Sequence, residues 1–130
     1  MSGDFNNVRI LVVDDHESMR RIISTLLRAL GFPTIVEAHD GAEALKKVTS
    51  FRPDIVITDF NMPVLNGVAL VEHLRGSDDP AVKTVPVIMV SGHASEPNIR
   101  AALAAGINEF LAKPITGRSL ADRIKRLMAA

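Results

Sequence analysis

Five short apolar runs alternate with stretches of helical periodicity, and this alternation constrains the fold more than any other feature of the sequence. The runs cover residues 8–13, 34–38, 55–58, 87–91 and 109–112. They are rich in β-branched residues, and most lack strict polar alternation, which is typical of strands covered on both faces of a parallel sheet. The alternation predicts an α/β fold with right-handed crossovers and helices on both faces of the sheet.

Apolar residues at helical spacing fill the gaps between these runs. The first gap carries on one face Met19, Ile22, Ile23, Leu26, Leu27 and Leu30. The second, third and last helices carry Ala44, Leu45 and Val48, then Val68, Leu70, Val71 and Leu74, and finally Leu120, Ile124 and Leu127. The fourth helix is predicted over 96–105, with Ile99 and Leu103 facing inward, and 76–80 is predicted to be a surface loop. Five strands and five helices predict a doubly wound sheet in the order 2-1-3-4-5.

Length, charge and composition exclude several classes of protein. The 130 residues fit a single domain spanning 1–130. The 15 basic and 15 acidic residues balance, and all five aromatic residues are Phe, so binding to nucleic acid is not expected. The apolar runs are too short to span a membrane, which needs about 20 residues. With no cysteine and no signal peptide at the start, we expect a cytoplasmic protein.

Polar residues end four of the five predicted strands. The first strand ends in Asp14 and Asp15, the third in Asp59, the fourth in Ser91 and the fifth in Lys113, which precedes a proline. In a doubly wound sheet, ligands bind beyond the carboxyl ends of the strands, where the strand order reverses. These side chains are therefore expected to meet at one edge.

Three neighbouring carboxylates repel one another unless a cation neutralises them, and Mg²⁺ is the cation that prefers such oxygen ligands. Asp15 and Asp59 are predicted to be direct ligands, with Asp14 acting directly or through water. A turn forced by Pro63 and Gly67 leaves backbone carbonyls such as that of Asn61 free to face the metal. Taken alone, the aspartate pair could equally be turn residues that cap the first helix.

A carboxylate beside Mg²⁺ is also a potential nucleophile that attacks phosphorus to form an acyl phosphate. Asp59 is the candidate, because Lys113 offers a positive charge and Ser91 a hydroxyl donor for the phosphoryl oxygens. Each of the two has a simpler reading on its own, as a solvated lysine and a strand-end hydroxyl. Their position at the same predicted edge as the aspartates favours the phosphoryl site.

Together, Asp14 and Asp15, Asp59 with the following Met-Pro and Gly, Ser91, and Lys113 with its proline resemble the signature of the receiver domain of two-component response regulators. The resemblance covers residues 8–128 and is closest to the stand-alone chemotaxis-type (CheY-like) regulators. It implies the flavodoxin-like/CheY-like fold. The strand order given above is the one known for that fold, so it is not independent evidence for the resemblance.

The resemblance implies that Asp59 takes a phosphoryl group from a histidine of a sensor histidine kinase or a histidine phosphotransfer protein. It implies Mg²⁺ held by Asp14, Asp15, Asp59 and the carbonyl of Asn61, with Lys113 paired to the phosphoryl group.

The resemblance also implies a switch, in which Ser91 moves towards the phosphoryl group and Phe110 swings inward. The surface near the fourth helix, fifth strand and last helix would then control binding to an unknown output protein. The chain would act as a monomer or weak dimer. From the residues alone, Phe110 would be a core aromatic on an edge strand.

Some positions depart from the chemotaxis pattern. Phe110 stands where motor-binding regulators carry Tyr, and His93 replaces an acidic residue, which weakens an assignment to flagellar motor control. The histidines lack metal-ligand spacing, and His16 and His93 are predicted only to flank the site. The isomer of the Lys113–Pro114 bond cannot be read from the sequence.

Two alternatives stay open. The chain could be a receiver fragment of a larger hybrid kinase or regulator. It could also be an aspartyl-phosphate phosphatase, although that class resembles a pattern with a second Asp two residues after the nucleophile. The position is occupied by Asn61, which cannot transfer a proton, so a phospho-acceptor switch is expected rather than an enzyme.

Overall fold

The predicted sheet is present in the computed structural model, which describes residues 2–129. Its strands are β1 Arg9–Val13, β2 Thr34–Ala38, β3 Ile55–Asp59, β4 Val87–Ser91 and β5 Glu109–Ala112. The strands lie in the order β2-β1-β3-β4-β5, and each pairs with its neighbour in parallel. The order reverses between β1 and β3, so the polar residues that follow these two strands share the crevice where such folds bind ligands.

Helices connect the strands and cover both faces of the sheet. They are α1 Glu17–Ala29, α2 Gly41–Phe51, α3 Gly67–Arg75, α4 Pro80–Lys83, α5 Glu96–Ala105 and α6 Gly117–Ala129. A 3-10 helix, Ser2–Asn7, precedes β1. None of the helices within residues 2–129 combines the length and the apolarity that crossing a bilayer requires.

The five long helices match the prediction, whereas α4 was not predicted. Pro80, which we placed at the end of a surface loop, begins this short helix. Asp79 caps it by accepting a hydrogen bond from the backbone N–H of Ala81. Proline suits the first helical position because its fixed φ is already helical and it has no N–H to leave unpaired.

Polar caps begin three of the helices near the carboxyl edge of the sheet. The side chains of Asp40, Asn66 and Ser95 cap α2, α3 and α5, each accepting a hydrogen bond from the backbone N–H three residues later. Such a cap satisfies one of the donors that a helix leaves unpaired at its start. The caps thereby fix the ends of the loops that surround the candidate site.

The core consists of two apolar clusters, one on each face of the sheet. Alternate strand residues point to opposite faces, so Leu11 and Val13 pack with α2, α3 and α5, whereas Ile10 and Val12 pack with α1 and α6. The central strands β3 and β4 are buried along their whole length. The sheet is therefore a rigid support for the residues at its carboxyl edge.

Two predictions of inward-facing helix residues are wrong. Ile22 is 48% exposed and Leu103 is 54% exposed. In α1 the buried positions include Ile23 and Leu27, and Ile22 is turned away from them. In α5 the inward positions are Ala102 and Ala105, three residues apart, which leaves Leu103 on the solvent side.

Candidate functional site

Asp59 lies at the carboxyl end of β3 and is 6% exposed. The loop that follows folds back over the strand end, because the backbone N–H of Gly67 donates to the carbonyl of Phe60 at 3.0 Å. A Cβ atom at Gly67 would lie only 2.3 Å from the carbonyl oxygen of Asp59. A residue without a side chain is therefore required for this close approach.

Lys113 provides the positive charge nearest to this carboxylate. Its Nζ lies 3.2 Å from Oδ1 of Asp59 and 3.9 Å from Oδ2 of Asp14. Its backbone N–H donates to the carbonyl of Ser91 at 2.8 Å, which fixes the start of the loop after β5. The Lys113–Pro114 peptide is cis, which resolves the isomer that the sequence left open.

The electrostatic setting of Asp59 favours its neutral form relative to a solvated aspartate. Burial raises the pKa of Asp59 above its ordinary value, and the negative charge of Asp14 raises it further. The ammonium group of Lys113 acts in the opposite direction but does not reverse the shift. An additional positive charge at this edge would therefore favour the ionised, nucleophilic carboxylate.

Asp14 and Asp15 follow β1 and form an acidic cluster together with His16. One potential ligand atom from each of the three residues lies within 4.8 Å of the others. Among the described residues, Oδ2 of Asp14 and Oδ1 of Asp15 are the buried side-chain atoms without a hydrogen-bond partner. Two unpaired carboxylate oxygens suit an oxygen-preferring divalent cation such as Mg²⁺, so the residues present fit the predicted metal.

Asn61 lies in the exposed loop after β3, two residues beyond Asp59. Its backbone carbonyl is one of the groups predicted to face the metal. The neighbouring Met62 is buried in the core and holds this loop against the sheet. Asp59 is not part of the cluster that Asp14 and Asp15 form with His16, and its carboxylate pairs with Lys113.

Arg20 on α1 links the acidic cluster to β2, a role that the sequence alone did not indicate. Its Nη1 donates to the carbonyl oxygen of Asp14 at 2.8 Å, and its Nε donates to Oε1 of Glu37 at 3.1 Å. The other carboxylate oxygen of Glu37 accepts from the hydroxyl of the buried Ser24. The sequence signal was an arginine near the start of α1, close to the Asp14–Asp15 pair.

Ser91 and Phe110, predicted to form the switch, lie on the neighbouring strands β4 and β5. Ser91 is 1% exposed, and its Oγ accepts a hydrogen bond from the backbone N–H of His93 at 2.9 Å. Phe110 pairs with Met89 and is half-buried against the core beneath α5. Because Asp59 pairs with Val90, the adjacent Ser91 is at the same level of the sheet edge as the carboxylate.

Residues 10–125 match the family described as the response regulator receiver domain. The chain belongs to this family. The receiver is 38% identical over 121 residues to the chemotaxis protein CheY-3 of Vibrio cholerae, covering 93% of this chain and 92% of that one. It is 41% identical over 120 residues to the chemotaxis protein CheY of Pseudomonas aeruginosa, covering 92% and 95%.

A solved structure shows the same fold. The receiver superposes on the chemotaxis protein CheY4 of Vibrio cholerae with a TM-score of 0.84 at 32% identity, covering 92% of this chain and 97% of that one. The predicted resemblance to CheY-like receivers is thereby confirmed, as is the doubly wound sheet in the order 2-1-3-4-5.

Proposed function

We propose that the receiver is a phosphorylation-activated switch in which Asp59 accepts a phosphoryl group from a sensor histidine kinase or a histidine phosphotransfer protein. The observation that carries this proposal is the contact of the Lys113 ammonium group with the buried carboxylate of Asp59, 3.2 Å away. A lysine held there by a strand end can neutralise the charge that a phosphoryl group brings to the site.

In the proposed reaction, a carboxylate oxygen of Asp59 attacks the phosphorus of a phosphohistidine. A P–O bond to Asp59 forms as the P–N bond to the imidazole breaks, and the imidazole leaves with that electron pair and takes up a proton from solvent. Lys113 stabilises the phosphoryl oxygens, and the hydroxyl of Ser91 is a further donor at the same edge.

Asp14, Asp15, Asp59 and the carbonyl of Asn61 are the groups that would hold Mg²⁺. When bound, this ion supplies positive charge that offsets repulsion between the carboxylates and the incoming phosphoryl oxygens. The unpaired oxygens of Asp14 and Asp15 support this assignment. Arg20 keeps the backbone of Asp14 in position for it through the hydrogen bond to the Asp14 carbonyl.

The output of the proposed switch is a change of surface rather than a second reaction. Ser91 moves towards the phosphoryl group, and Phe110 follows into the space beneath α5, which changes the surface formed by α5, β5 and α6 for an output protein. A turnover enzyme is not proposed, because Asn61, two residues after Asp59, carries no group that transfers protons.

The proposal is tested by incubating the protein with Mg²⁺ and acetyl phosphate and measuring its intact mass. We expect a single phosphoryl adduct in the wild type and in Asp54→Asn, but none in Asp59→Asn. Asp54 is a suitable control because it lies just before β3, at the opposite edge of the sheet, and is exposed. Both substitutions preserve size and remove one carboxylate.

An Asp59→Asn variant that still gains one phosphoryl group would refute the assignment of the acceptor. Turnover of many equivalents of acetyl phosphate by that variant would refute the switch and favour a hydrolase. Lys113→Ala is expected to gain the adduct while losing the chemical-shift changes that phosphorylation causes around Phe110 in the wild type. Shift changes around Phe110 on phosphorylation of this variant that match those of the wild type would contradict the role given to Lys113.

A further inference from the structure

His16 places an imidazole beside the two carboxylates of the acidic cluster. Its side chain is 70% exposed, and its Nδ1 lies 3.2 Å from Oδ1 of Asp15 and 3.4 Å from Oδ1 of Asp14. Its backbone N–H donates to Oδ1 of Asp14 at 2.9 Å, which fixes the residue directly beside the pair. The imidazole nitrogen is therefore next to both carboxylates without being buried itself.

The carboxylates beside His16 have unused ligand capacity. Oδ1 of Asp15, the atom nearest to the imidazole, has no hydrogen-bond partner, because the contact with Nδ1 lacks hydrogen-bond geometry. Oδ2 of Asp14 is also unpaired, although the side chain of Asp14 is only 1% exposed, and it faces Lys113 inside the site. Buried carboxylate oxygens that accept no hydrogen bond are suited to bind a cation.

The spacing of the donor atoms fits ligands of one ion. Two ligands bonded at about 2.1 Å and at right angles to each other lie about 3.0 Å apart. The separations of 3.2 Å and 3.4 Å between the imidazole nitrogen and the two carboxylate oxygens are close to this value.

We infer that His16 is an additional ligand of the divalent-cation site and that this site takes first-row transition ions such as Co²⁺ more tightly than its carboxylates alone would. The inference rests on the proposed function, which assigns a divalent cation to Asp14 and Asp15. Imidazole nitrogen favours transition metals, whereas Mg²⁺ prefers oxygen ligands and retains its waters. His16 is therefore a residue that determines metal specificity.

A second histidine in the chain provides a matched control. His39 also contacts two carboxylates, with Nδ1 2.6 Å from Oε1 of Glu43 and Nε2 3.2 Å from Oδ2 of Asp40. These carboxylates already accept hydrogen bonds from backbone N–H groups, and Glu43 also pairs with Lys47. Each cluster consists of one histidine and two carboxylates, but of the two only the cluster at His16 has buried oxygens that accept no hydrogen bond.

The experiment measures Co²⁺ and Mg²⁺ affinity by titration calorimetry at pH 8 for the wild type, His16→Gln, His39→Gln and Asp15→Asn. The visible absorption of bound Co²⁺ reports its ligands separately. We expect His16→Gln to lower Co²⁺ affinity by about tenfold or more, since losing even an indirect ligand partner costs about 10–100-fold. Mg²⁺ affinity should change little, and His39→Gln should behave as the wild type.

An unchanged ratio of Co²⁺ to Mg²⁺ affinity in His16→Gln, with Mg²⁺ still bound, would overturn the role of His16 and leave the proposed function intact. An unchanged Co²⁺ absorption spectrum in that variant would overturn it as well. A wild type that binds neither ion, or an Asp15→Asn variant that binds both normally, would instead refute the metal site of the proposed function, and the inference with it.

Discussion

Val64 lies at the centre of a strained turn in the loop that follows Asp59. Its φ is 68°, a left-handed conformation that a β-branched residue rarely adopts. The backbone N–H of Leu65 donates to the carbonyl of Pro63 at 2.8 Å, which closes a three-residue turn around Val64. The side chain is fully exposed and buries no apolar surface in return. Val64→Gly should therefore stabilise the folded protein.

The size of the effect follows from two opposing terms. A residue held in a sparsely populated backbone region costs about 1–3 kcal/mol, and glycine removes this cost. Glycine also gives the unfolded chain more conformational freedom, which costs about 0.4–1 kcal/mol. Because Val64 makes no buried contact, no hydrophobic term is lost. The expected gain in the free energy of unfolding is about 1 kcal/mol, or about 3–5 °C in Tm for a domain of this size.

Urea unfolding followed by far-ultraviolet circular dichroism measures this gain, since the chain has no Trp for fluorescence. Ala94→Gly is the matched control, because Ala94 is an exposed loop residue whose φ is not positive. That substitution should only increase the conformational freedom of the unfolded chain, which lowers the free energy of unfolding by about 0.4–1 kcal/mol. Equal losses in the two glycine variants would show that the turn at Val64 stores no strain.

Two further predictions concern the site itself. The pKa of Asp59 is raised in the folded state. Its ionisation with rising pH therefore lowers the free energy of unfolding. Asp59→Asn should therefore be more stable to urea than the wild type at neutral pH, and the difference should vanish below the ordinary aspartate pKa of about 3.9. A difference independent of pH would contradict this. Arg20→Met should weaken Mg²⁺ binding about tenfold by releasing the carbonyl of Asp14. Arg21→Met, at the neighbouring exposed position, should leave Mg²⁺ binding unchanged. Equal Mg²⁺ affinities of the two variants in a calorimetric titration would refute the positioning role of Arg20.

The fold could be predicted because the strand and helix patterns rest on local periodicity. The parallel strands are buried on both faces and are continuous apolar runs, so they stand out from the helices around them. The two wrong predictions, Ile22 and Leu103, lie on helices that carry apolar residues on more than one face. Periodicity could not tell that α5 packs through Ala102 and Ala105, because the choice between these alanines and Leu103 depends on the distance between α5 and the sheet.

At the site, the convergence of Asp59 and Lys113 could be anticipated because both follow strands at one edge. The contribution of Arg20 could not, because it depends on a partner in β2, Glu37, whose position is set by the sheet register. The positive φ at Val64 could not be predicted from the sequence either. Pro63 and Gly67 predict a turn, but the residue that adopts the positive φ depends on how the loop closes over Asp59.

The buried residues through which α5 packs on the core are small, Ala102 and Ala105. Burying a leucine or isoleucine side chain contributes about 1.5–3 kcal/mol, and each methyl-sized group only about 0.8 kcal/mol. α6 is anchored by Leu120 and Ile124, whereas the buried side chains of α5 are alanines. A shift of α5 therefore uncovers less buried apolar surface than a shift of α6 would. For the proposed switch, this makes α5 easier to reposition than α6 when a phosphoryl group is added at the sheet edge.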